Sequence, residues 1–237
     1  MTTPAAILRL ENISFNYPGR ERVLNNLNLN ISQGDRIGLV GPNGSGKTTL
    51  FHIIMGLLPA SSGTIEFFGK PVKTPNDFKA VYKKVGLMFQ DADDQLFSPT
   101  VLEDVAFGPL NLGKSKAQAR DIAQYTLERL GIAHFENRVT HKLSGGEKRL
   151  VALATVLSME PELLLLDEPS TGLDENTKAN LVDVLNHLEL PYILISHEND
   201  FMSQVTDTMF MMENGQLTKD AHIHSYVHTH PNPGQHH

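Results

Sequence analysis

The sequence predicts an α/β fold with a mixed, mostly parallel sheet, an antiparallel β subdomain at the N-terminus and an inserted helical subdomain. Three observations predict it. The first segments alternate apolar and polar residues, as half-buried strands do. Short apolar runs then alternate with helical patterns, which is typical of parallel sheets. Between about residues 91 and 160 the pattern is mostly helical.

The predicted elements follow in order along the chain. Strands are expected where apolar residues alternate or form short runs between turn residues, at about 7–17, 22–31, 34–41, 63–68, 84–89, 162–167, 191–196 and 208–213. Helices are expected where apolar residues recur at helical spacing, at 47–58, 115–130 and about 175–188. The pairs Pro18-Gly19 and Asn214-Gly215 predict turns.

Composition limits the classes of function. The 237 residues are 40% hydrophobic and carry a formal net charge of −7, which argues against a nucleic-acid partner. Cysteine is absent, so disulfides and thiolate metal sites are excluded, as suits a reducing cytosol. No apolar run approaches the roughly 18 residues that span a bilayer, and the first residues do not resemble a secretory signal. We therefore expect any membrane role to act through partners.

A glycine loop between the third strand and the first helix predicts a nucleotide site. The stretch GPNGSGKTT fits the G-x-x-x-x-G-K-[ST] pattern of P-loop NTPases. Backbone N–H groups of such a loop surround phosphates, Lys47 adds charge toward the β- and γ-phosphates, and the Thr48 hydroxyl binds Mg²⁺. The predicted nucleotide-binding residues are Gly41, Pro42, Asn43, Gly44, Ser45, Gly46, Lys47, Thr48 and Thr49.

A second motif, LLLLDEPS at residues 163–170, places two carboxylates at the end of a buried strand. Open α/β sheets bind ligands at the carboxyl ends of their strands. We therefore expect Asp167 to hold Mg²⁺, directly or through water, and Glu168 to accept a proton from the attacking water. The alternative is a carboxylate pair that only caps a strand.

The tetrapeptide LSGG at residues 143–146 precedes a predicted helix, whose N-terminus suits an anion. Alone it is more typical of a helix cap formed by Ser144. Together with the two earlier motifs it makes residues 5–215 resemble the nucleotide-binding subunits of ABC-type ATPases. The resemblance implies a head-to-tail dimer in which Ser144, Gly145 and Gly146 contact the γ-phosphate of ATP bound to the opposite P-loop.

Four further residues match positions of that family. The resemblance implies that Tyr17 stacks on adenine, that Gln90 links the γ-phosphate and Mg²⁺ to the helical subdomain, that Asp174 lies in a loop at the dimer interface, and that His197 hydrogen-bonds the γ-phosphate. The residues after LSGG depart from the family pattern. Glu147 stands where glutamine is common, and Arg149-Leu150 replaces a frequent basic pair, so the resemblance does not extend to the side-chain contacts of this helix.

Residues 89–113 resemble the A subunits of energy-coupling-factor importers, especially those for cobalt and nickel. We expect this stretch to form a groove for a basic, amphipathic helix of a membrane subunit. The expected groove residues are Asp91, Asp93, Asp94, Leu96, Phe97 and Val101. The alternative is an acidic loop that packs only on its own subdomain.

We expect an ABC ATPase domain at residues 1–215, with a helical subdomain at about 91–160, and a flexible tail at 216–237. The tail holds six of the eleven histidines, and the pairs His222/His224 and His228/His230 suit Ni²⁺ or Co²⁺. Incidental histidines in a disordered tail are the alternative.

These features predict an ATPase that uses ATP and Mg²⁺, pairs with itself or a paralogous ATPase, and drives membrane subunits from the cytoplasmic face of the membrane. Cobalt or nickel ions are the expected cargo. An importer for a vitamin and a soluble ABC ATPase not tied to transport remain alternatives. A metallochaperone with a GTPase core is opposed by the LSGG motif and by the lack of an N-K-x-D guanine motif.

Overall fold

Ten strands form two sheets within residues 6–19 and 22–219, the part of the chain that this computed structural model describes. They are β1 (Ala6–Asn16), β2 (Arg22–Ser32), β3 (Arg36–Val40), β4 (Ser62–Phe67), β5 (Lys70–Pro71), β6 (Val85–Met88), β7 (Leu163–Asp167), β8 (Tyr192–Ile195), β9 (Thr208–Glu213) and β10 (Gln216–Lys219). The antiparallel sheet has the order β2-β1-β4-β5, and the second sheet has the order β10-β9-β3-β8-β7-β6. In the second sheet only the β10–β9 pair is antiparallel. The predicted fold class is therefore confirmed.

Seven α-helices accompany the sheets in the described residues. They are α1 (Lys47–Ile54), α2 (Pro75–Val81), α3 (Val101–Asn111), α4 (Lys116–Arg129), α5 (Gly145–Leu157), α6 (Glu175–Asn186) and α7 (Asn199–Val205). Capping boxes begin α2, α3, α4 and α5, so serine or threonine fixes each start. Helices α3, α4 and α5 lie between residues 91 and 160, as expected for the helical subdomain. None of these helices is long and apolar enough to cross a bilayer.

Two apolar clusters cover the faces of the six-stranded sheet. Alternate residues of β7 and β8 enter opposite clusters, because successive side chains of a strand point to opposite faces. One cluster lies against the antiparallel sheet and α1, and contains Leu163, Leu165, Ile193 and Ile195. The other lies against the helical subdomain, and contains Leu164, Leu166, Tyr192 and Leu194. The four-leucine strand is thus buried on both faces, as its sequence predicts.

The first helix ends earlier than predicted. Apolar spacing predicts a helix to residue 58, but α1 ends at Ile54 and Met55 forms its C-cap. Gly56 then adopts the left-handed conformation, with φ of 67°, which commonly ends a helix. Leu57 therefore lies outside the helix, and about half of its surface (51%) is exposed.

The ordered fold also extends beyond the boundary predicted at residue 215. Strand β10 (Gln216–Lys219) forms a hairpin with β9 around the Asn214-Gly215 turn. The peptide N–H of Asn25 donates to the carbonyl of Gly215 at 2.9 Å, which joins this hairpin to the antiparallel sheet. The first four residues assigned to the tail therefore belong to the domain. The short elements α2, α7 and β5 were not predicted either.

A buried aspartate holds the helical subdomain together. Asp104 of α3 is only 3% exposed. Its Oδ1 accepts hydrogen bonds from the peptide N–H groups of Phe97 (3.1 Å) and Ser98 (2.8 Å). Its Oδ2 accepts a bond from the Thr140 hydroxyl at 3.1 Å. One carboxylate thus connects three separate segments of the chain.

We expect Asp104→Ala to lower the free energy of unfolding by about 2–3 kcal/mol, because it leaves N–H groups without acceptors. Asp104→Asn keeps an oxygen for both N–H groups, so its loss should stay below about 1 kcal/mol. Urea denaturation of the two variants measures both values. Equal losses in the two variants would contradict the role given to the carboxylate.

Candidate functional site

The candidate site is an open cleft where β3, β7 and β8 end. The strand register sets Leu39 beside Ile195 and Ile195 beside Asp167, so the loops that follow the three strands meet at one edge. The cleft has a volume of about 420 Å³. Its lining comprises Tyr17, Val23, Asn43, Gly44, Gly46, Lys47, Thr48, Thr49, Gln90, Asp167, Glu168, Ile195 and His197.

The glycine loop is wrapped around the lysine ammonium. Lys47 Nζ donates to the carbonyl oxygens of Gly41 at 2.8 Å and Pro42 at 3.1 Å. Gly46 has a φ of 108°, and a β-carbon there would come within 2.9 Å of the Leu24 side chain. This position therefore requires glycine. Ser45 Oγ is buried without a hydrogen-bond partner in the described residues, so the loop offers a donor that a phosphate oxygen would satisfy.

Burial lowers the pKa of Lys47, while the nearby carboxylates of Glu168 and Asp167 act in the opposite direction. A lysine that is desolvated in this way gains from a further negative charge close to its ammonium. The electrostatics therefore favour an anion such as a nucleotide phosphate inside the loop.

Asp167 and Thr48 face each other at the floor of the cleft. The Thr48 hydroxyl donates to Asp167 Oδ2 at 2.8 Å. Burial raises the pKa of Asp167, and the hydrogen bond from Thr48 partly offsets that rise. Paired oxygen ligands of this kind fit Mg²⁺. No group of three or more His, Cys, Asp or Glu side chains in the described residues suits a metal ion, so Mg²⁺ here would also need phosphate or water oxygens.

Glu168 is fixed in an unusual backbone conformation. Its φ of 53° lies in the left-handed region, which costs a non-glycine residue about 1–2 kcal/mol. The Thr171 hydroxyl donates to Oε2 at 3.0 Å. Oε1 is buried and accepts no hydrogen bond from the described residues, although His197 Nε2 lies 3.3 Å away. A carboxylate oxygen with free lone pairs can accept a proton from water.

The remaining residues of the predicted pocket lie around this centre. His197 follows β8, and about half of its side chain (52%) is exposed beside Glu168. The Tyr17 hydroxyl and the Thr49 hydroxyl share a hydrogen bond of 3.2 Å. Gln90 lines the cleft from the start of the helical subdomain. Asp174 instead caps α6, where Oδ1 accepts from the N–H groups of Asn176 and Thr177.

The LSGG loop lies apart from this cleft. Of the residues that the structure describes, the cleft lining includes none of Ser144, Gly145 and Gly146. Ser144 caps α5, with its Oγ accepting from the Glu147 N–H at 3.3 Å. A β-carbon on Gly146 would lie 3.1 Å from the carbonyl oxygen of Gly172, so the loop adjoins the segment that leads to Asp174.

The residue that departs from the family pattern at position 147 is fully partnered. Glu147 accepts from the Ser144 N–H at 2.8 Å and from both terminal nitrogens of Arg138, at 2.6 and 3.2 Å. The hydrogen bond from Arg138 is the main cause that lowers the pKa of Glu147, and the bond from the Ser144 N–H adds to it. The carboxylate therefore fixes the start of α5 and the Ser144 loop.

An apolar groove lies beside the helical subdomain, with a volume of about 400 Å³. Its exposed side chains include Leu57, Tyr82, Phe97 and Phe107, and the two phenylalanine rings pack edge to face at 4.7 Å. We call these four residues the apolar groove. The prediction that Val101 lines such a groove is wrong, because Val101 is fully buried in the subdomain core.

Four other residues of the predicted groove also lie outside this cavity. Leu96 packs against the subdomain core, and Asp93 forms an ion pair of 2.5 Å with Lys148. Asp91 and Asp94 line a neighbouring cleft that also contains Gln90 and Arg149. Of the six predicted residues, Phe97 alone lines the apolar groove.

Sequence reasoning missed several residues that hold the site. Arg149 donates to the backbone carbonyl of Glu168 at 2.7 Å. Gln95 donates to Ala152 O at 2.8 Å and to the Thr155 hydroxyl at 2.7 Å, which fixes the segment after Gln90 on α5. These contacts join residues far apart in sequence. The only sign of them in the sequence was that Arg149-Leu150 differs from the basic pair common in the family. The tail histidines His222, His224, His228 and His230 lie outside the described residues.

Comparisons with known sequences identify the family of this chain. A profile described as ABC transporter matches residues 24–171. A putative ABC transporter ATP-binding protein from Nitratidesulfovibrio vulgaris is 50% identical over 98% of this chain and 85% of its own length. The energy-coupling factor transporter ATP-binding protein EcfA of Methanothermobacter thermautotrophicus is 40% identical over 91% of this chain and 70% of its own length.

Solved structures show the same architecture. CbiO1 from Clostridium perfringens, described as part of the ABC transporter complex cbiONQ, is 36% identical with a TM-score of 0.81, covering 90% of this chain and 87% of that one. A dimeric ATP-binding cassette in a post-hydrolysis state, bound to ADP and phosphate, is 25% identical with a TM-score of 0.81, covering 90% and 97%. The chain therefore belongs to the ABC transporter family of ATP-binding cassettes and is an ATPase.

Proposed function

We propose that this chain is the ATP-hydrolysing subunit of an energy-coupling-factor importer, in which two cassettes close around two ATP molecules. One observation carries the proposal. The P-loop, Asp167, Glu168 and His197 line one cleft, whereas the Ser144 loop lies elsewhere on the same chain. A complete pocket therefore needs the Ser144 loop of a second cassette. The relative with 25% identity whose structure is dimeric and holds ADP and phosphate supports this arrangement.

In the proposed pocket, Lys47 and the loop N–H groups bind the β- and γ-phosphates, and Tyr17 contacts the adenine. Thr48, Asp167 and Gln90 would hold Mg²⁺, which would neutralise phosphate charge when bound. The partner's serine and glycine N–H groups add donors to the γ-phosphate. Because they act only in the closed dimer, ATP binds that state more tightly and shifts the equilibrium toward it.

Glu168 is the proposed general base. Its Oε1 has free lone pairs, and its Oε2 accepts a hydrogen bond from Thr171, which restrains the orientation of the carboxylate. His197 Nε2 lies 3.3 Å from Oε1. Its proposed role is to contact the attacking water and the γ-phosphate. Hydrolysis then removes the shared γ-phosphate contacts, and the dimer reopens.

The apolar groove is the proposed contact with membrane subunits on the cytoplasmic face of the membrane. Leu57, Phe97 and Phe107 are large apolar residues with 51%, 65% and 44% of their surface exposed. Exposed apolar clusters of this kind mark interaction sites. An amphipathic helix fits such a groove through its apolar face. The resemblance to EcfA and to CbiO1, described as part of a complex, supports this partner class.

Cobalt or nickel ions are the proposed cargo. The resemblance of residues 89–113 to cobalt and nickel importers and the imidazole pairs of the tail support it. A vitamin importer is the alternative, because the cassette itself does not contact the solute.

Glu168→Gln should retain ATP binding and form a stable ATP dimer, because glutamine preserves the shape of the side chain. Its turnover should fall by roughly 10²–10⁴-fold, the usual effect of removing a general base. Gel filtration in the presence of ATP measures dimer formation, and the release of phosphate measures turnover. Wild-type protein diluted to monomers should also lose turnover per chain. Near-normal turnover in Glu168→Gln would refute the role of Glu168.

Phe97→Ser combined with Phe107→Ser should abolish co-purification with an integral membrane partner from detergent-solubilised membranes. The ATPase rate of the isolated variant should stay within about twofold of wild type, because neither side chain lines the nucleotide cleft. Tyr125→Ser, which removes an equally exposed aromatic residue (61%) from α4, is the matched control. Undiminished co-purification of the double variant would exclude the groove as the contact.

Substituting His222, His224, His228 and His230 by alanine should remove Ni²⁺ binding that calorimetry detects in the full chain. Alanine at His236 and His237 should preserve it, because the proposed pairs remain. A truncated chain, residues 1–220, should behave like the fourfold variant. Equal Ni²⁺ affinity in all forms would show that the histidine pairs of the tail do not bind the ion, and the tail would then give no support to cobalt or nickel as cargo.

A further inference from the structure

Arg149 joins the helix that carries the LSGG loop to the proposed general base. It lies in α5, which Ser144 caps, and its guanidinium donates to the backbone carbonyl of Glu168 at 2.7 Å. The two residues are nineteen positions apart in sequence. The contact therefore connects the helical subdomain to the carboxyl end of β7.

This hydrogen bond acts on the backbone that aims the carboxylate. Glu168 has a φ of 53°, a conformation that persists only when the surroundings fix it. On one side its N–H donates to Ile195 O at 2.9 Å, at the carboxyl ends of β7 and β8. On the other side its carbonyl accepts from Arg149. The Glu168 backbone is thus held from β8 and from α5.

We propose that Arg149 is a positioning residue for hydrolysis, which holds the Glu168 backbone in its left-handed conformation. The orientation of the Glu168 carboxylate then depends on the position of α5. The inference rests on the proposed function, because it assumes that Glu168 activates the water. The Ser144 loop at the start of α5 contacts the ATP of the opposite cassette. Arg149 therefore transmits the state of one ATP pocket to the general base of the other.

A direct contact of Arg149 with nucleotide is the competing role. Arg149 also lines the neighbouring cleft with Thr48, Gln90 and Asp167. A direct contact would change ATP affinity and would act independently of Glu168. A positioning role acts only through Glu168. Kinetics of single and double variants separate the two roles.

Arg149→Met should lower kcat by about 10- to 100-fold, the scale expected when a reacting group is displaced by about 1 Å. KM for ATP should stay within about twofold, because the variant keeps the phosphate loop. Arg149→Lys should recover part of kcat, since its ammonium can donate to the same carbonyl. Arg120→Met, an exposed arginine on α4, is the matched control and should retain full turnover.

The decisive measurement is the double variant Arg149→Met with Glu168→Gln. Its residual turnover should lie within about twofold of Glu168→Gln alone, because Arg149 has no remaining base to position. It should still form the ATP dimer. A multiplicative further loss, a raised KM, loss of the ATP dimer or unchanged kcat in Arg149→Met would each overturn the proposal.

Thermal denaturation checks the fold of each variant, and if Arg149→Met does not fold, the same comparisons are made with Arg149→Lys. Failure of the proposed function gives a different result. In that case wild-type protein would neither hydrolyse ATP nor dimerise with it, or Glu168→Gln would remain active. If wild type hydrolyses ATP, Glu168→Gln does not, and Arg149→Met turns over normally, the role of Arg149 alone is refuted.

Discussion

The parallel register of β3, β8 and β7 is the constraint on which the site depends. Leu39 pairs with Ile195 and Ile195 with Asp167, so the P-loop, His197 and Glu168 leave the sheet at the same level. A shift of one residue in β7 would exchange its two buried faces. Because both faces are packed with leucine, either face would stay apolar, and the register must come from other contacts. The Thr48–Asp167 hydrogen bond and the Glu168 N–H bond to Ile195 O supply two of them.

The sequence predicted those parts of the fold and site that depend on local spacing. The P-loop, the four-leucine strand and the alternation of strands and helices are read from neighbouring residues, and the structure agrees. The end of α1 was wrong because apolar spacing continues through Leu57, whereas the left-handed backbone at Gly56 ends the helix. Helix α2 was missed because its seven residues contain too few turns for a periodic signal, although Thr74 and Asp77 form a capping box.

Contacts between distant segments could not be predicted from the sequence in the same way. Asp93 was expected to attract a basic partner, yet Lys148 of the same chain neutralises it. Arg149 was noticed only as a departure from a family pattern, and its bond to Glu168 depends on how α5 packs against the end of β7. Which side chains pair in this way depends on the tertiary geometry. Composition and spacing therefore predict the charges of a segment, but they do not predict which residue each charge contacts.

Helix α5 contacts each part of the molecule that the proposed cycle must coordinate. Its first turn carries the Ser144 loop, Arg149 reaches Glu168, and Ala152 and Thr155 accept hydrogen bonds from Gln95 in the segment after Gln90. Thr155 and Val156 line the cavity of the apolar groove. A helix transmits displacement along its length because its backbone hydrogen bonds resist bending. In the proposed cycle, a displacement of α5 caused by a partner at the groove would therefore reach the segment after Gln90, the Ser144 loop and the Glu168 carbonyl through this one helix.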